Sequence, residues 1–115
     1  MPAYQPDRGH FVFVNFTPQA GTEQAGQRPA LVLSPKDFNI RTGLCMVCPV
    51  TSKGKGSAFE VAVPATAKVT GFILSDQLRS VDWIARDMRY HSDCPQDTMW
   101  EVLGRIEAIL AIDCS

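Results

Sequence analysis

Apolar residues fall into short clusters along most of the chain and then change spacing near its end, so two kinds of element are expected. Phe11 to Phe16 is dense in β-branched and aromatic residues and predicts a mostly buried strand, entered through a turn at Arg8-Gly9. Ala30 to Leu33, Leu44 to Val50, Ala58 to Val63, Gly71 to Leu74 and Leu78 to Val81 predict further short strands. Ser34-Pro35 suits the opening of a short helical turn, Arg41-Thr42-Gly43 reads as a turn, and Ser75-Asp76-Gln77 as a strand end or bulge. From Ser92 the apolar spacing becomes helical, with Met99, Val102, Leu103, Ile106, Ile109 and Leu110 on one stripe. Asp93 and Gln96 have capping-box spacing, Pro95 is tolerated in a first turn, and Glu101 with Arg105 makes an i,i+4 pair. Five or six short strands followed by one helix predict an α+β chain, mainly β, built on a small, strongly curved antiparallel sheet.

The length of 115 residues fits a single domain over residues 1–115, with one sizeable core. Hydrophobic residues at 45% and charged residues at 20% are ordinary for a globular fold, which excludes intrinsic disorder and collagen-like structure. No apolar run approaches the roughly 20 residues that span a bilayer, so no membrane association is expected. The N-terminal MPAYQPDRGHFVFVNF lacks the basic, apolar and small-residue order of a secretory signal, and a cytoplasmic location is expected. A formal net charge of -1 excludes holding nucleic acid by bulk positive charge and leaves a local basic cleft open. Cys45 and Cys48 have CxxC spacing, yet they lie in one predicted strand, where residues three apart face opposite ways and share neither a metal nor a bridge. They are expected, with Cys94 and Cys114, to be reduced thiols packed as small hydrophobes.

Phosphate-cradling glycine loops followed by lysine, paired metal-spaced histidines and nucleophile elbows are all absent. His10 opens the first strand and His91 sits in a predicted polar turn, so a two-histidine acid–base nuclease would need both ends of the chain brought together. Candidate chemistry concentrates in Gly21-Thr22-Glu23-Gln24-Ala25-Gly26-Gln27-Arg28-Pro29, inside a polar loop of a length that compact domains keep mainly for function. Taken alone, Glu23 and Arg28 read first as a surface ion pair fixing that loop. They also suit a phosphodiester, because the guanidinium fork matches phosphate oxygens and the negative charge of a pentacoordinate transition state. The loop TSKGKGS carries Lys53 and Lys55, which fit a solvated hairpin as readily as a phosphate contact. Phe16, Phe59 and Trp83 offer stacking faces but read as core, and Trp100 is better placed for a dimer or partner contact.

Three stretches in this order, GTEQAGQRPALVLS, CPVTSKGKG and LSDQLRSVDW, closely resemble the MazF/PemK family of toxin-antitoxin ribonucleases, from about Pro6 through the C-terminal helix. The resemblance implies a small SH3-like antiparallel barrel with a C-terminal helix, a homodimer, and cleavage of single-stranded RNA at short sequences without metal or other cofactor. It implies silencing by a cognate MazE-like antitoxin whose acidic tail folds onto the toxin. Carried over by position, the family's arginine falls on Arg28, its threonine on Thr51 and its loop glutamate on Glu23. The implied reaction is attack of the RNA's own 2′-hydroxyl, with Arg28 stabilising the transition state and Thr51 positioning the phosphate. Arg28 and Glu23 are both open as proton carriers, the arginine being a poor free base. Gln24, Lys53, Lys55 and Arg79 are assigned RNA contacts, and Asp76 and Gln77 are suited to read base edges.

The rival is a non-enzymatic toxin of the CcdB type, poisoning DNA gyrase through its C-terminal helix. Such a protein has no need of Glu23, Arg28 and Thr51, and the ending Ile112-Asp113-Cys114-Ser115 lacks the Trp-Gly-Ile associated with that group. An inactive barrel used for assembly is a third possibility, opposed by the presence of all three residues.

Overall fold

The computed structural model describes residues 4–16 and 27–111. Its elements run β1 (His10–Val14), β2 (Arg28–Val32), α1 (Lys36–Thr42), β3 (Leu44–Thr51), β4 (Glu60–Ala62), β5 (Phe72–Leu74), one 3-10 turn (Ser75–Gln77), β6 (Arg79–Asp82), β7 (Arg89–Asp93) and α2 (Gln96–Leu110). All the strand pairings are antiparallel, in the order β4-β5-β3-β2-β1-β7, with β6 also on β3.

Strand β3 is the hub. One edge pairs with β2 over Val47 to Pro49, while the other pairs with β6 from Leu44 to Val47 and with β5 at Val50 and Thr51. This change of partner curves the sheet. Among the described strands no pairing joins β4 to β7, so the sheet stays open where a closed barrel was expected. Helix α2 contacts β4 and the 3-10 turn, and its residues Met99, Val102 and Ile106 join the core on one face of the sheet.

Burial on both faces explains the nearly continuous apolar strands. The first core, under α2, gathers Phe11, Leu31, Leu33, Cys48, Val50, Val61, Ile73, Met99, Val102 and Ile106. A second core on the opposite face holds Val12, Val14, Ala30, Val32, Cys45, Val47, Val81, Trp83 and Met88. Cys45 and Cys48 therefore do point to opposite faces. Burial pushes the thiols of Cys45, Cys48 and Cys94 up to about 12, so at neutral pH they pack as protonated hydrophobes. Cys114 lies outside the described residues.

Three local expectations are corrected. Residues Arg89–Asp93 form a seventh strand, and His91 lies on it rather than in a polar turn. Helix α2 begins at Gln96 with Pro95 as its cap and no side-chain capping bond, because Asp93 instead accepts the Tyr90 hydroxyl at 2.9 Å. Ile109 and Leu110 continue the apolar stripe but are exposed, the core ending at Ile106.

One buried polar network joins α1 to the second core. Asn39 is fully buried; its amide donates to the carbonyls of Pro6 (2.9 Å) and Ser34 (3.0 Å), and its side-chain oxygen accepts the Ser34 hydroxyl. The Trp83 indole N–H donates to the Asn39 carbonyl at 2.8 Å, and Ser34 Oγ accepts the Met46 N–H at 2.8 Å. Asn39→Ala leaves buried carbonyls unpaired and opens a cavity, so a loss of about 3 kcal/mol is expected. Thermal melting checks this, and a change below about 1 kcal/mol would contradict the network's role.

Candidate functional site

A cleft of about 350 Å³ opens where β3, β5 and the 3-10 turn meet, lined by Thr51, Lys53, Lys55, Ser57, Glu60, Leu74, Asp76 and Gln77. Thr51 ends β3 and pairs with Phe72 of β5, while its hydroxyl accepts the Lys53 N–H at 3.2 Å and keeps its own proton to donate. Ser75 anchors the 3-10 turn: it is buried, and both its hydroxyl (2.6 Å) and its N–H (3.1 Å) donate to the Phe59 carbonyl. That leaves the next two residues, Asp76 and Gln77, exposed at the cleft mouth. The expected strand end or bulge is thus a helical turn, with the same consequence for its polar side chains.

Arg28 opens β2 and is exposed. Its strand pairs with β3 at Ala30↔Pro49, and continuing that antiparallel register by two residues brings Arg28 level with Thr51. Opposite partners in such a ladder share a face, here that of the second core. Arg79 opens β6 opposite Val47, and its guanidinium lies 4.9 Å from the centre of the Phe16 ring. Phe16 packs against the second core, so Phe16 and Arg79 form a stacked pair rather than a bare stacking face. Trp83 is buried, as expected of a core residue, whereas Phe59, also expected in the core, is exposed in the turn that leads into β4.

Five sequence-expected residues, Thr51, Lys53, Lys55, Asp76 and Gln77, therefore meet in one cleft. Arg28 stands one strand away from Thr51, and Arg79 lies on β6 just after the 3-10 turn. Glu23 and Gln24 lie outside the described residues. Glu60, unmarked by the sequence reading, also lines the cleft, with its carboxylate turned onto the backbone N–H groups of Lys55 and Gly56. Gly71 was also unmarked: its φ is +126°, and it packs directly against the Thr51 carbonyl.

Other candidates lack such convergence. His10 Nδ1 bonds the Tyr4 hydroxyl at 2.7 Å and His91 Nδ1 the Ser92 hydroxyl at 2.8 Å, and neither histidine lines the cleft. An opening of about 390 Å³ between α1 and α2 is lined by Leu33, Pro35, Phe38, Met46, Leu78, Leu103 and Ile106, with Arg8 as its one charged group. It has too few polar groups to orient a polyanion. Among the described residues, no cluster of His, Cys, Asp and Glu able to hold a metal ion is present. No helix among them is long and apolar enough to cross a membrane.

Residues 7–110 match the family model described as the PemK-like, MazF-like toxin of type II toxin-antitoxin systems. The chain belongs to this family. Curated relatives include the endoribonuclease toxin MazF of Escherichia coli K12, 46% identical over 83 residues, which are 72% of this chain and 74% of that protein. The endoribonuclease PemK of Escherichia coli is 39% identical over 108 residues, covering 90% of this chain and 81% of the relative. A crystal structure of MazE-MazF from Deinococcus radiodurans superposes with a TM-score of 0.89 at 50% identity, covering 96% of this chain and 99% of that one. Membership in this family leaves the gyrase-poison reading without support.

Proposed function

We propose that the chain, acting as a single domain, is the toxin of a type II toxin-antitoxin pair and cuts single-stranded RNA in the cytoplasm by transesterification. The reading rests on one observation: Thr51, Lys53, Lys55, Asp76 and Gln77 share a cleft, with Arg28 opening the neighbouring strand β2. The ribose 2′-oxygen attacks the adjacent phosphorus as its proton passes to a base, and the P–O5′ bond breaks as the 5′-oxygen takes up a proton. The products are a 2′,3′-cyclic phosphate and a 5′-hydroxyl. No water enters the bond-breaking step, and neither a protein nucleophile nor a metal is required.

The Arg28 guanidinium supplies two parallel donors to the phosphorus-bound oxygens as charge builds on them. The Thr51 hydroxyl fixes the same phosphate, which lowers the barrier by holding the 2′-oxygen in line with the leaving 5′-oxygen. Glu23 and Arg28 are the available proton carriers, and Gln24 and Arg79 extend the RNA contact beyond the cleft. Lys53 and Lys55 hold the flanking backbone, and Asp76 and Gln77 face unstacked bases with groups able to pair with their edges. A homodimer would present two such clefts. A MazE-like antitoxin, the partner present in the Deinococcus complex, would silence the enzyme by laying an acidic segment over these basic groups.

The test is cleavage of a mixed RNA pool in excess EDTA with the ends of the products mapped. Cyclic phosphate and 5′-hydroxyl ends are expected, and a strand with one 2′-deoxynucleotide at the cut site should survive. A requirement for added divalent metal, or products ending in a 3′-hydroxyl, would overturn the mechanism.

A further inference from the structure

We infer that Glu60 is a positioning residue of this cleft, whose carboxylate folds the Lys53–Lys55 segment back over β5 so that both ammonium groups face RNA. The inference rests on the reading of the cleft as the RNA site.

Between the end of β3 at Thr51 and the start of β4 at Glu60, the chain has no strand partner to hold it. Glu60 replaces that missing ladder. The Lys55 N–H donates to both carboxylate oxygens, at 3.1 and 2.9 Å, and the Gly56 N–H donates to one of them at 3.2 Å. Successive peptide N–H groups converging on one anion form a nest, and charge-assisted bonds of this kind are about twice as strong as neutral ones. Gly54 completes the clamp. A Cβ there would sit 2.8 Å from the Phe72 ring and 3.0 Å from a Glu60 carboxylate oxygen, so only a bare backbone lies flat on both. Phe72 is the strand partner of Thr51, so the clamp fixes the lysine segment relative to the catalytic threonine.

Charge alone makes the opposite prediction, which gives the idea a decisive sign. A carboxylate inside a cleft for a polyanion repels it, so deleting Glu60 should tighten RNA binding if the side chain were only a bystander charge. If it positions the lysines, Glu60→Ala should weaken RNA binding about tenfold despite the lost negative charge, because the segment must then be ordered on binding. Glu60→Gln keeps one oxygen that can accept from both N–H groups, gives up the 2.9 Å bond from the Lys55 N–H to the second oxygen, and removes the charge. It should bind RNA about as tightly as the parent and should restore most of the tryptic resistance after Lys53 and Lys55.

The experiment compares the parent, Glu60→Ala and Glu60→Gln full-length proteins for RNA affinity, the KM and kcat of cleavage, their pH profile, and the rate of tryptic nicking after Lys53 and Lys55 without RNA. Expected are faster nicking and a raised KM in the alanine variant, rescue of both by glutamine, and a pH profile of kcat unchanged in the glutamine variant. Tighter RNA binding by Glu60→Ala, or nicking as slow as in the parent, would overturn the inference. A flattened pH profile in Glu60→Gln would overturn it too, by making the carboxylate a proton carrier. Failure of the parent itself to bind or cut RNA would instead remove the underlying reading of the cleft, while nicking would still report whether Glu60 holds the segment.

Discussion

Arg28→Ala is expected to slow RNA cleavage about 100-fold or more with the fold intact, equivalent to losing one preorganised transition-state donor. The side chain is exposed at the first position of β2 and contributes to neither core, so melting should move by no more than about 0.5 kcal/mol. Arg28→Lys should fall between the parent and the alanine variant, since it keeps a charge but loses the planar pair of donors. The effect should appear in the single-turnover rate at saturating RNA, because the demand on the guanidinium is greatest when the phosphorus is pentacoordinate. Lys55→Ala supplies the contrast. Its ammonium group is proposed to hold the flanking backbone, so KM should rise and the salt dependence of binding should fall by about one phosphate contact, with the rate at saturation little changed. Near-normal cleavage by Arg28→Ala would remove the arginine from the chemistry, whatever its position beside Thr51.

The strands that were legible are those buried on both faces. Residues 11–14, 30–33 and 44–50 read as apolar runs because each strand feeds two cores, and the helical stripe from Met99 to Ile106 read clearly because one face of α2 covers the first core. Strand β7 was not legible. Its sequence RYHSD holds one buried residue, Ser92, and it is a strand because its backbone completes the free edge of β1, a property of pairing and not of hydrophobic pattern. The start of α2 misled for a related reason, since the Asp93 side chain that matched a capping box is engaged by Tyr90 across the same strand.

The site divided along the same line. Arg28, Lys53, Lys55, Asp76 and Gln77 stood out as polar or charged groups in loops and at strand ends, of types suited to phosphate and base recognition, whereas Thr51 was marked only by the family resemblance. Their convergence depends on the β2–β3 register and on the partner change along β3, neither of which is written locally. Glu60 gave no signal. In AFEVAV it occupies an ordinary outward position of a strand, and its use appears only once residues 55 and 56 turn their N–H groups back toward it.

Gly71→Ala should be the most damaging single-methyl change near the cleft, destabilising the protein by about 3 kcal/mol, or roughly 10–15 °C in Tm, and cutting the cleavage rate of whatever remains folded. Its φ of +126° is a conformation that side chains rarely adopt, and the added Cβ would run into the Thr51 carbonyl oxygen and lie 3.0 Å from the carbonyl carbon. Both obstacles are backbone, so neither can rotate aside. Relief requires the end of β3 to part from β5, at the Thr51↔Phe72 pair that sets the hydroxyl in the cleft, and it also strains the bond from the Val63 N–H to the Gly71 carbonyl at 2.9 Å. Gly43→Ala separates collision from backbone preference. Gly43 caps α1 at φ +73° with nothing within 4 Å of an added Cβ, so that variant should lose only about 1 kcal/mol and keep its activity. If Gly71→Ala folds too poorly for kinetics, its melting temperature against that of Gly43→Ala still measures the collision with Thr51. Equal melting of the two variants, together with parental cleavage by Gly71→Ala, would show that β3 can shift without disturbing the position proposed for Thr51.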